Sequence, residues 1–293
     1  MRLEEHVELW RYTTLGTGGP PRAFARPESV AEVEELLRWA AEQELAVATV
    51  GLGSNLLVAD DGVDALVLKL AGELAAVGSD GTLVQAGGGA ANAVVLHHAR
   101  NAGLGRFEFA CAIPGTIGGG IWMNGGAYGS DFAGVLERVL VATADGCGHL
   151  TPAELGLSYR HSNLRHSQVV VQADLRLSQR DPGAIKEEVR ELNARRKAAQ
   201  PTNRRTFGSV FKNPEHELTA GRMLEACGLK GHRIGGAQIS PKHANFIENA
   251  DGAKTADAIA LMAEARRRAR EQYGVTLEHE VELLGELELP PLG

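Results

Sequence analysis

The sequence predicts an α+β protein with an N-terminal part that runs to about residue 180 and a separate C-terminal part. Segments with the apolar spacing of amphipathic helices alternate with short apolar runs typical of strands. A charged segment over 182–199 is typical of a helix and ends before Pro201, which marks a boundary. Glycine is abundant, at 36 of 293 residues, so the loops are candidates for ligand contacts.

The first helix is predicted from its start signal. Ser29-Val30-Ala31-Glu32 forms a capping box, and the apolar residues after it recur on one helical face as far as about Leu45. The segment 113–134 is rich in glycine without clear periodicity, so we predict no regular element there. The other elements of this region are strands over 46–50, 66–70 and 83–86, and a helix over 91–102.

A second group of elements follows. The strand over 139–144 is turned by Asp145-Gly146. Over 169–177 the odd positions are apolar, with Asp174 and its polar neighbours between them, which predicts a half-buried strand. The C-terminal part is predicted to contain a short helix over 219–227, a strand over 245–247 and a helix over 255–273.

Composition argues against several classes of function. The formal charge of −7 and the pI near 5.8 argue against non-specific binding to nucleic acid. No run approaches the ~18 apolar residues of a membrane span, and no signal-peptide pattern opens the chain, so we expect a cytoplasmic protein. The three cysteines form no CxxC pair and His97-His98 lacks HExxH spacing, so we expect neither disulfides nor a metal site. The arginine run over 266–270 is interpreted as a solvated helix face.

Two glycine-rich loops are the strongest functional signal. The first, Gly51-Leu52-Gly53-Ser54-Asn55, lacks the third glycine of a Rossmann GxGxxG, and no GK[ST] triplet of a phosphate-binding P-loop occurs. The second runs over 113–120 and leads into the glycine-rich segment 123–129. Successive N–H groups in such loops can form a nest that holds a pyrophosphate. Two uncharged, donor-rich loops therefore favour a dinucleotide cofactor held mostly by backbone.

These loops belong to a series of motifs that covers nearly the whole chain. The motifs are GLGSNLLV (51–58), IPGTIGGGIWMNGGAYG (113–129), LSYRHS (157–162), GSVFKNP (208–214), GGA (235–237), KHANF (242–246) and LEHEV (277–281). With these motifs in this order, the chain resembles the UDP-N-acetylenolpyruvoylglucosamine reductase family.

The resemblance implies an architecture and a reaction. It implies a two-part FAD-binding domain of the vanillyl-alcohol-oxidase type, over 1–78 and 79–180, and a C-terminal α+β substrate-binding domain over 181–293. The reaction is reduction of a UDP-linked enolpyruvyl sugar to UDP-N-acetylmuramate in cell-wall precursor synthesis, with NADPH as hydride donor. We expect FAD to be bound non-covalently, because the GLGSN loop contains no His or Cys that could attach it. Cys111, before the second loop, is the one residue that could argue for covalent attachment. We also expect a monomer.

The resemblance also assigns site residues. Arg160, on a predicted YR strand, Ser209 and Glu280 match the catalytic positions. The positions around the substrate are Tyr159, Lys212, Asn213 and His243. The cofactor positions are Gly51, Gly53, Ser54, Asn55, Leu56, Pro114, Gly115, Thr116, Gly118, Gly119, Asn124, Gly126, Ala127 and Val170.

The reaction explains why those catalytic residue types are needed. Negative charge builds beside the substrate carboxylate during reduction, and Arg160 can supply a fixed cation there. Ser209 can give its hydroxyl proton to the carbanionic carbon, with Glu280 ordering polar groups around it or relaying a proton. The separation of Arg160 and Ser209, 209 − 160 = 49 residues, suits the family's shorter form, which lacks an extra loop over the substrate.

Two departures from the family pattern leave alternatives open. Gly16 stands where the family usually has a basic residue, and Glu282 stands where it usually has arginine. One alternative is an FAD-dependent sugar-lactone or alcohol oxidase of the same fold, which would share only the first two loops. Another is a non-catalytic flavin or nucleotide-sugar binding protein. The sequence does not decide between NADPH and NADH.

Overall fold

The computed structural model describes residues 2–291 and divides into two compact units. Unit 1 contains Ala23–Leu52, Asp64–Arg196 and the N-terminal residues to Glu5. Unit 2 contains His6–Arg22, Gly53–Val63 and the chain from Lys197 onward. The change of unit after Arg196 differs from the predicted boundary after residue 180, because the helix that follows residue 180 packs in unit 1. The predicted division at 78/79 lies inside unit 1 and stays a prediction.

The helices and strands are numbered along the chain. The helices are α1 (Val30–Glu42), α2 (Asn92–Asn101), α3 (Ile117–Trp122), α4 (Pro182–Ala199), α5 (Ala220–Ala226) and α6 (Thr255–Tyr273). The strands up to α3 are β1 (Pro21–Ala25), β2 (Ala46–Thr49), β3 (Leu56–Val58), β4 (Val63–Leu68), β5 (Val77–Asp80), β6 (Leu83–Gly87) and β7 (Leu104–Gly105). Those after α3 are β8 (Gly126–Ala127), β9 (Ser130–Asp131), β10 (Leu136–Thr143), β11 (Gly146–Leu150), β12 (Val169–Arg176), β13 (Ser178–Gln179), β14 (Thr206–Ser209), β15 (Arg233–Ile234), β16 (Ala237–Ile239), β17 (Phe246–Asn249) and β18 (Glu282–Leu284). Short 3-10 turns lie at Leu9–Tyr12, Gly72–Ala75 and Glu108–Ala112.

Unit 1 is layered around an antiparallel sheet in the order β11-β10-β12-β6-β5. Apolar side chains of α2 and α3 pack on one face of this sheet. α1 packs on the other face and also against the smaller sheet β1-β4-β2, in which β2 and β4 are parallel. The central strands are therefore covered on both sides.

α1 begins as the sequence predicts, with one difference. The Ser29 hydroxyl accepts the Glu32 N–H at 3.3 Å, which is one half of the predicted capping box. The Glu32 carboxylate accepts the N–H of Glu28 at 2.6 Å, one residue earlier than the usual box. The helix ends at Glu42, and Glu44 takes a left-handed φ of 52° that turns the chain toward β2.

Six of the eight residues of β12 are buried, Gln172 is half-buried and Arg176 is exposed, so the predicted alternation of a buried and a solvent face is wrong at Val170 and Asp174. A register shift opposite Leu140 and Val141 places an extra residue in β12, so the alternation of faces reverses there. Val170 consequently shares a core with the α2–α3 layer, whereas Val171 faces the α1 layer. Asp174, at 2% exposure, accepts a hydrogen bond from Nε of Arg138 at 2.7 Å. The polar residue is buried because it is paired.

The segment 113–134 contains α3, where the sequence predicts no regular element. The Thr116 hydroxyl accepts the Gly119 N–H and caps this helix. Ile117 and Ile121, four residues apart, are fully buried on one face. The helix is too short for its period to be recognised in a sequence window.

Unit 2 contains an antiparallel sheet in the order β14-β17-β16-β15, with α5 and α6 packed on its apolar residues. α6 has the predicted bounds and is followed by Gly274 with φ 69°. At its start, the two carboxylate oxygens of Asp60 accept the N–H groups of Thr255 and Ala256. β3 and β18 add a parallel pair, with Leu56 opposite Glu282.

Residues 2–291 meet the requirements neither of a membrane-spanning helix nor of a metal site with three or more side-chain ligands. No helix within residues 2–291 is both long and apolar enough to cross a membrane. In the same residues, His, Cys, Asp and Glu side chains form no group of three or more that could hold a metal ion. In the arginine run of α6, Arg267 and Arg268 pair with Glu264.

Candidate active site

The GLGSN loop begins after β2, where the chain leaves unit 1. The ammonium of Lys69 donates to the Gly51 carbonyl at 2.8 Å. A trans peptide directs its C=O and N–H to opposite sides, so this bond turns the Leu52 N–H away from Lys69. A Cβ on Gly51 would stand 2.6 Å from Oγ1 of Thr116, so glycine is required where the first loop meets the second. Burial, and then the charge of Arg26, lower the pKa of Lys69.

The second loop uses its N–H groups differently from the prediction. The N–H groups of residues 117–120 donate to acceptors within unit 1, two to carbonyls of residues 88–90 and two to Thr116. They start α3, so they do not form the predicted nest for a pyrophosphate.

The open space beside Gly119 is the feature of this loop that fits a bound group. A Cβ on Gly118 would be crowded, at 3.0 Å from a backbone carbonyl, and one on Gly120 would stand 2.4 Å from the ring of Phe132, so the packing of α3 accounts for both glycines. Gly119 is exposed, and a Cβ there would meet only Thr116, at 3.6 Å. Glycine inside a helix costs about 1 kcal/mol relative to alanine. Its presence here fits close approach by a group from outside the chain, as FAD requires.

Asn92 holds the start of the second loop and was not singled out by sequence reasoning. Its backbone N–H donates to the Gly115 carbonyl at 2.9 Å, and its amide donates to the Ile113 carbonyl at 3.0 Å, on either side of Pro114. Its buried Oδ1 has no hydrogen-bond partner within residues 2–291. The only sequence signal was a polar residue at the start of an apolar helix.

Tyr159 and Arg160 form the centre of a two-residue turn, so the predicted YR strand is wrong. Ser158 and His161 pair on either side of them. Arg160 has a left-handed φ of 54°, and its Nη2 donates to the Gly126 carbonyl at 2.9 Å. Its guanidinium carbon lies 5.0 Å from the centroid of the Tyr159 ring, and this ring is 53% exposed. A turn presents both side chains at the surface of unit 1.

Other predicted cofactor positions of unit 1 make hydrogen bonds or packing contacts within that unit. Asn124 is buried, and its amide bonds to protein groups. Ala127 pairs with Ser130 between β8 and β9. A Cβ on Gly88 would stand 1.8 Å from the Val170 carbonyl, so β12 passes directly behind the loop at residue 88. What each contributes to a bound cofactor stays a prediction.

Unit 2 contains the rest of the first loop. The Gly53 carbonyl accepts hydrogen bonds from the backbone N–H and the hydroxyl of Thr14, at 3.0 and 3.1 Å. The side-chain amide of Asn55 donates to the Glu280 carbonyl at 3.1 Å, and the backbone carbonyl of Asn55 accepts the Glu282 N–H at 3.0 Å. The parallel ladder of β3 and β18 begins at the next residue, Leu56. Thus the loop is joined to the segment that carries Glu280.

The strand that carries Ser209 runs beside the same segment. The Glu280 N–H donates to the Val210 carbonyl at 2.8 Å, and the Lys212 N–H donates to the Glu278 carbonyl at 2.9 Å. These bonds form a backbone ladder across the two segments. Ser209, the last residue of β14, and Glu280, predicted to act together, therefore lie on adjacent segments of unit 2.

Gly208 brings the Ser209 strand against the first loop. Its φ is 85°, and a Cβ there would stand 3.2 Å from the Ser54 carbonyl. A side chain at this position would be strained and crowded. Unit 2 therefore gathers three motifs that are far apart in sequence: the first loop, GSVFKNP and LEHEV.

Two predicted substrate positions follow Ser209. The Lys212 ammonium lies 3.6 Å from the Glu278 carboxylate. Asn213 accepts the Ala220 N–H at 3.1 Å through Oδ1, at the first residue of α5. Both side chains thus have partners within unit 2.

The surroundings of His243 favour the neutral form of its ring. Burial, and then the charge of Lys230, lower its pKa. Its Nδ1 accepts the Asn245 N–H at 3.2 Å, which leaves the proton on Nε2 as a donor. A Cβ on Gly221 would stand 2.6 Å from Cε1 of the ring, so glycine is required beside it.

Asn245 is a second residue that sequence reasoning missed. It is 4% exposed, and its amide bonds both backbone groups of Phe211, accepting the N–H at 3.0 Å and donating to the carbonyl at 2.8 Å. This pairing fixes the chain two residues after Ser209. Its signal was present, because Asn245 lies within the KHANF motif.

Comparison with known proteins places the whole chain. A sequence model of the UDP-N-acetylenolpyruvoylglucosamine reductase C-terminal domain matches residues 200–284, and one of the FAD binding domain matches residues 21–147. UDP-N-acetylenolpyruvoylglucosamine reductase 2 of Symbiobacterium thermophilum is 42% identical over 97% of this chain and 92% of its own length. The chain belongs to the UDP-N-acetylenolpyruvoylglucosamine reductase family.

Other members of the reductase family agree. The reductase of Anaeromyxobacter dehalogenans strain 2CP-C is 42% identical over 95% of this chain and 84% of its own. The crystal structure of the reductase from Thermus caldophilus superimposes with a TM-score of 0.84 at 36% identity, over 97% of this chain and 99% of that one. The predicted α+β class and FAD-binding fold are confirmed. The family's C-terminal region begins at residue 200, close to the change of unit after Arg196.

The two departures from the reductase family pattern both lie in unit 2. Gly16 has φ 78°, and Nη1 of Arg205 stands 3.1 Å from where its Cβ would be. A guanidinium therefore lies beside the position that usually carries a basic side chain. Glu282 takes part in the β3–β18 ladder through its backbone, and its side chain is half-buried.

Proposed function

We propose that this chain reduces UDP-N-acetylglucosamine enolpyruvate to UDP-N-acetylmuramate, with NADPH as electron donor and non-covalent FAD as cofactor, in peptidoglycan precursor synthesis. The observation that carries the proposal is the pair of backbone hydrogen bonds that joins the segment after Ser209 to the segment that carries Glu280, with the first loop bonded to the same segment. A cytoplasmic monomer is part of the proposal.

FAD, when bound, supplies the redox chemistry between NADPH and the enolpyruvyl group. In unit 1, the residues that fit it are the Gly51–Leu52 peptide, whose N–H is turned away from Lys69, and the bare face of Gly119. Burial raises the pKa of the Cys111 thiol. A protonated thiol is a poor nucleophile, which supports non-covalent binding.

Ser209 is the proposed proton donor to the substrate carbon. A serine hydroxyl is a weak acid in water, so it needs polar neighbours that stabilise the alkoxide. Lys212 follows on the same segment, and Glu280 lies on the adjacent one. We assign Glu280 to ordering these groups or relaying the proton. In the same unit, the Nε2–H of His243 offers a neutral donor to a substrate oxygen.

Arg160 is the proposed fixed cation for the substrate carboxylate. Its guanidinium stays charged at any working pH and can bind a carboxylate through two N–H groups. One of its nitrogens is already held by the Gly126 carbonyl. A pre-oriented charge stabilises the developing enolate without reorganisation during the reaction. Tyr159, beside it, is the proposed flat wall of the same substrate subsite.

The test is a pair of anaerobic half-reactions followed by flavin absorbance. We expect NADPH to bleach the purified holoenzyme and the UDP-linked enolpyruvyl sugar to restore the colour. Ser209→Ala should keep the bleaching and abolish the return, whereas Ser178→Ala, an exposed strand serine, should behave as wild type. If only oxygen restores the colour, the protein is an oxidase. A protein that takes up no FAD would refute the proposal.

A further inference from the structure

The Tyr159-Arg160 turn is attached to the segment 122–126, which follows the second glycine-rich loop, at three alternate residues. The Ser162 hydroxyl donates to the Trp122 carbonyl at 2.7 Å. The amide of Asn124 donates to the Ser158 carbonyl at 3.0 Å. Arg160 itself donates to the Gly126 carbonyl. The segment 122–126 therefore holds the turn in place. Residues 122 and 126 contribute backbone carbonyls, whereas Asn124 contributes its side chain.

Asn124 has no amide group left for a ligand in this arrangement. It is 2% exposed. Its Oδ1 accepts the Ala133 N–H at 2.9 Å, and its Nδ2 is shared between the Ser158 carbonyl and a carboxylate oxygen of Asp131, the latter at 3.2 Å. The Ala133 bond fixes which end of the amide points to the turn.

Both ends of this connection have unfavourable backbone conformations. Asn124 has φ 40° and Arg160 has φ 54°, in the left-handed region that residues other than glycine rarely adopt. Such conformations persist only where the surrounding contacts hold them. The Ser158 carbonyl, which accepts both the His161 N–H and the Asn124 amide, is the contact next to the turn.

We propose that Asn124 is a positioning residue for Arg160. The Asn124 amide holds the Ser158 carbonyl, and this keeps the two-residue turn in a shape in which Arg160 has a left-handed φ. In that conformation the Arg160 guanidinium donates to the Gly126 carbonyl. This role differs from the cofactor contact predicted from sequence. It rests on the proposed function, because it matters to the reaction only if Arg160 binds the substrate carboxylate.

The principal variant is Asn124→Gly, which removes the amide and also relieves the left-handed φ, so that the chain folds without new strain. We expect bleaching by NADPH to be unchanged. The return of colour with the UDP-linked enolpyruvyl sugar should slow by about ten- to a hundredfold, the range for misplacement of a catalytic group by ~1 Å. In the FAD-bound variant, the backbone amides of Ser158 and His161 should exchange hydrogen faster than in the FAD-bound wild type.

A double-mutant cycle separates positioning from a general structural role. In an Arg160→Ala background, Asn124→Gly should cause no further slowing, because the group that it positions is gone. Asn249→Ala is the matched control, since its amide also bonds backbone at both ends, to Leu15 and Ala253. It should lower the melting temperature and leave both half-reactions as in wild type.

The outcomes are distinguishable. If Asn124→Gly weakens FAD binding and leaves the substrate step unchanged, Asn124 serves the cofactor and the proposal is wrong. Equal slowing with and without Arg160 also overturns it. Should the glycine variant fail to fold, Asn124→Asp keeps the acceptor for Ala133 but loses the donor, and it must show the same selective slowing. If wild-type enzyme is not re-oxidised by the sugar, the proposed function fails instead.

Discussion

The two units hold their proposed catalytic residues by different means. In unit 2, Ser209 and Glu280 sit on segments joined by backbone hydrogen bonds, which do not depend on side-chain identity. In unit 1, Arg160 sits in a left-handed turn held by the amide of Asn124 and by its own guanidinium. A ladder tolerates substitution, whereas a turn held by side chains depends on a few residues. We therefore expect substitutions to be more damaging to the proposed site residue in unit 1 than to those in unit 2.

The largest effect is expected at the turn itself. Arg160→Ala should lower kcat for the substrate step by about 10²–10³-fold, the range for loss of one preorganised group that stabilises developing negative charge. FAD content and bleaching by NADPH should stay as in wild type. Arg165→Ala, an exposed arginine of the same unit, is the control. A loss of less than about threefold in kcat would remove Arg160 from the mechanism and weaken the comparison.

Asn245 is the expected exception in unit 2, because it is a side chain that supports the ladder. Asn245→Ala should lower the free energy of unfolding by about 2 kcal/mol, since it leaves the buried N–H and C=O of Phe211 without partners. Urea unfolding measures this, with the exposed Asn203→Ala as control. If the ladder holds the site, the substrate step slows less than in Asn124→Gly. Greater slowing would contradict the comparison.

The smallest effect concerns Gly119. Gly119→Ala should stabilise the FAD-free protein by up to about 1 kcal/mol, because alanine favours helix and meets only Thr116. It should at the same time weaken FAD binding, measured by fluorescence titration. Gly148→Ala, which also enters open space, should leave FAD affinity unchanged. Unchanged affinity in Gly119→Ala would show that the bare face of α3 is not a cofactor surface.

Long elements with strong end signals were predictable from sequence. α4 and α6 have the predicted bounds, and α1 starts at the predicted cap. β12 was misread because a bulge reverses its faces, and a period-2 pattern contains no information about an extra residue. α3 was missed because its first turn is capped by Thr116 and packed through glycines, so it lacks a helical composition.

The motifs predict which residues form the site, and that assignment stays a prediction, but they do not predict the hydrogen bonds that those residues make. Motif resemblance pointed to Ser209 and Glu280, and the structure places them on adjacent segments. It also assigned Asn124 to the cofactor, whereas the amide is bonded to Ser158 and Ala133. A motif records which residue is present, not where its hydrogen bonds go. Asn245 was missed for the same reason, whereas Asn92 lies outside all of the motifs.

The division of unit 2 along the chain has a consequence for synthesis on the ribosome. Its segments His6–Arg22 and Gly53–Val63 are made early, but β3 pairs with β18, and Leu56 lies 282 − 56 = 226 residues before its partner Glu282. The residues of unit 1 are complete once Arg196 has been made. Unit 2 cannot close its β3–β18 ladder until residues 282–284 leave the exit tunnel. A nascent chain stopped at residue 281 should therefore carry a folded unit 1 and a protease-sensitive GLGSN–β3 segment.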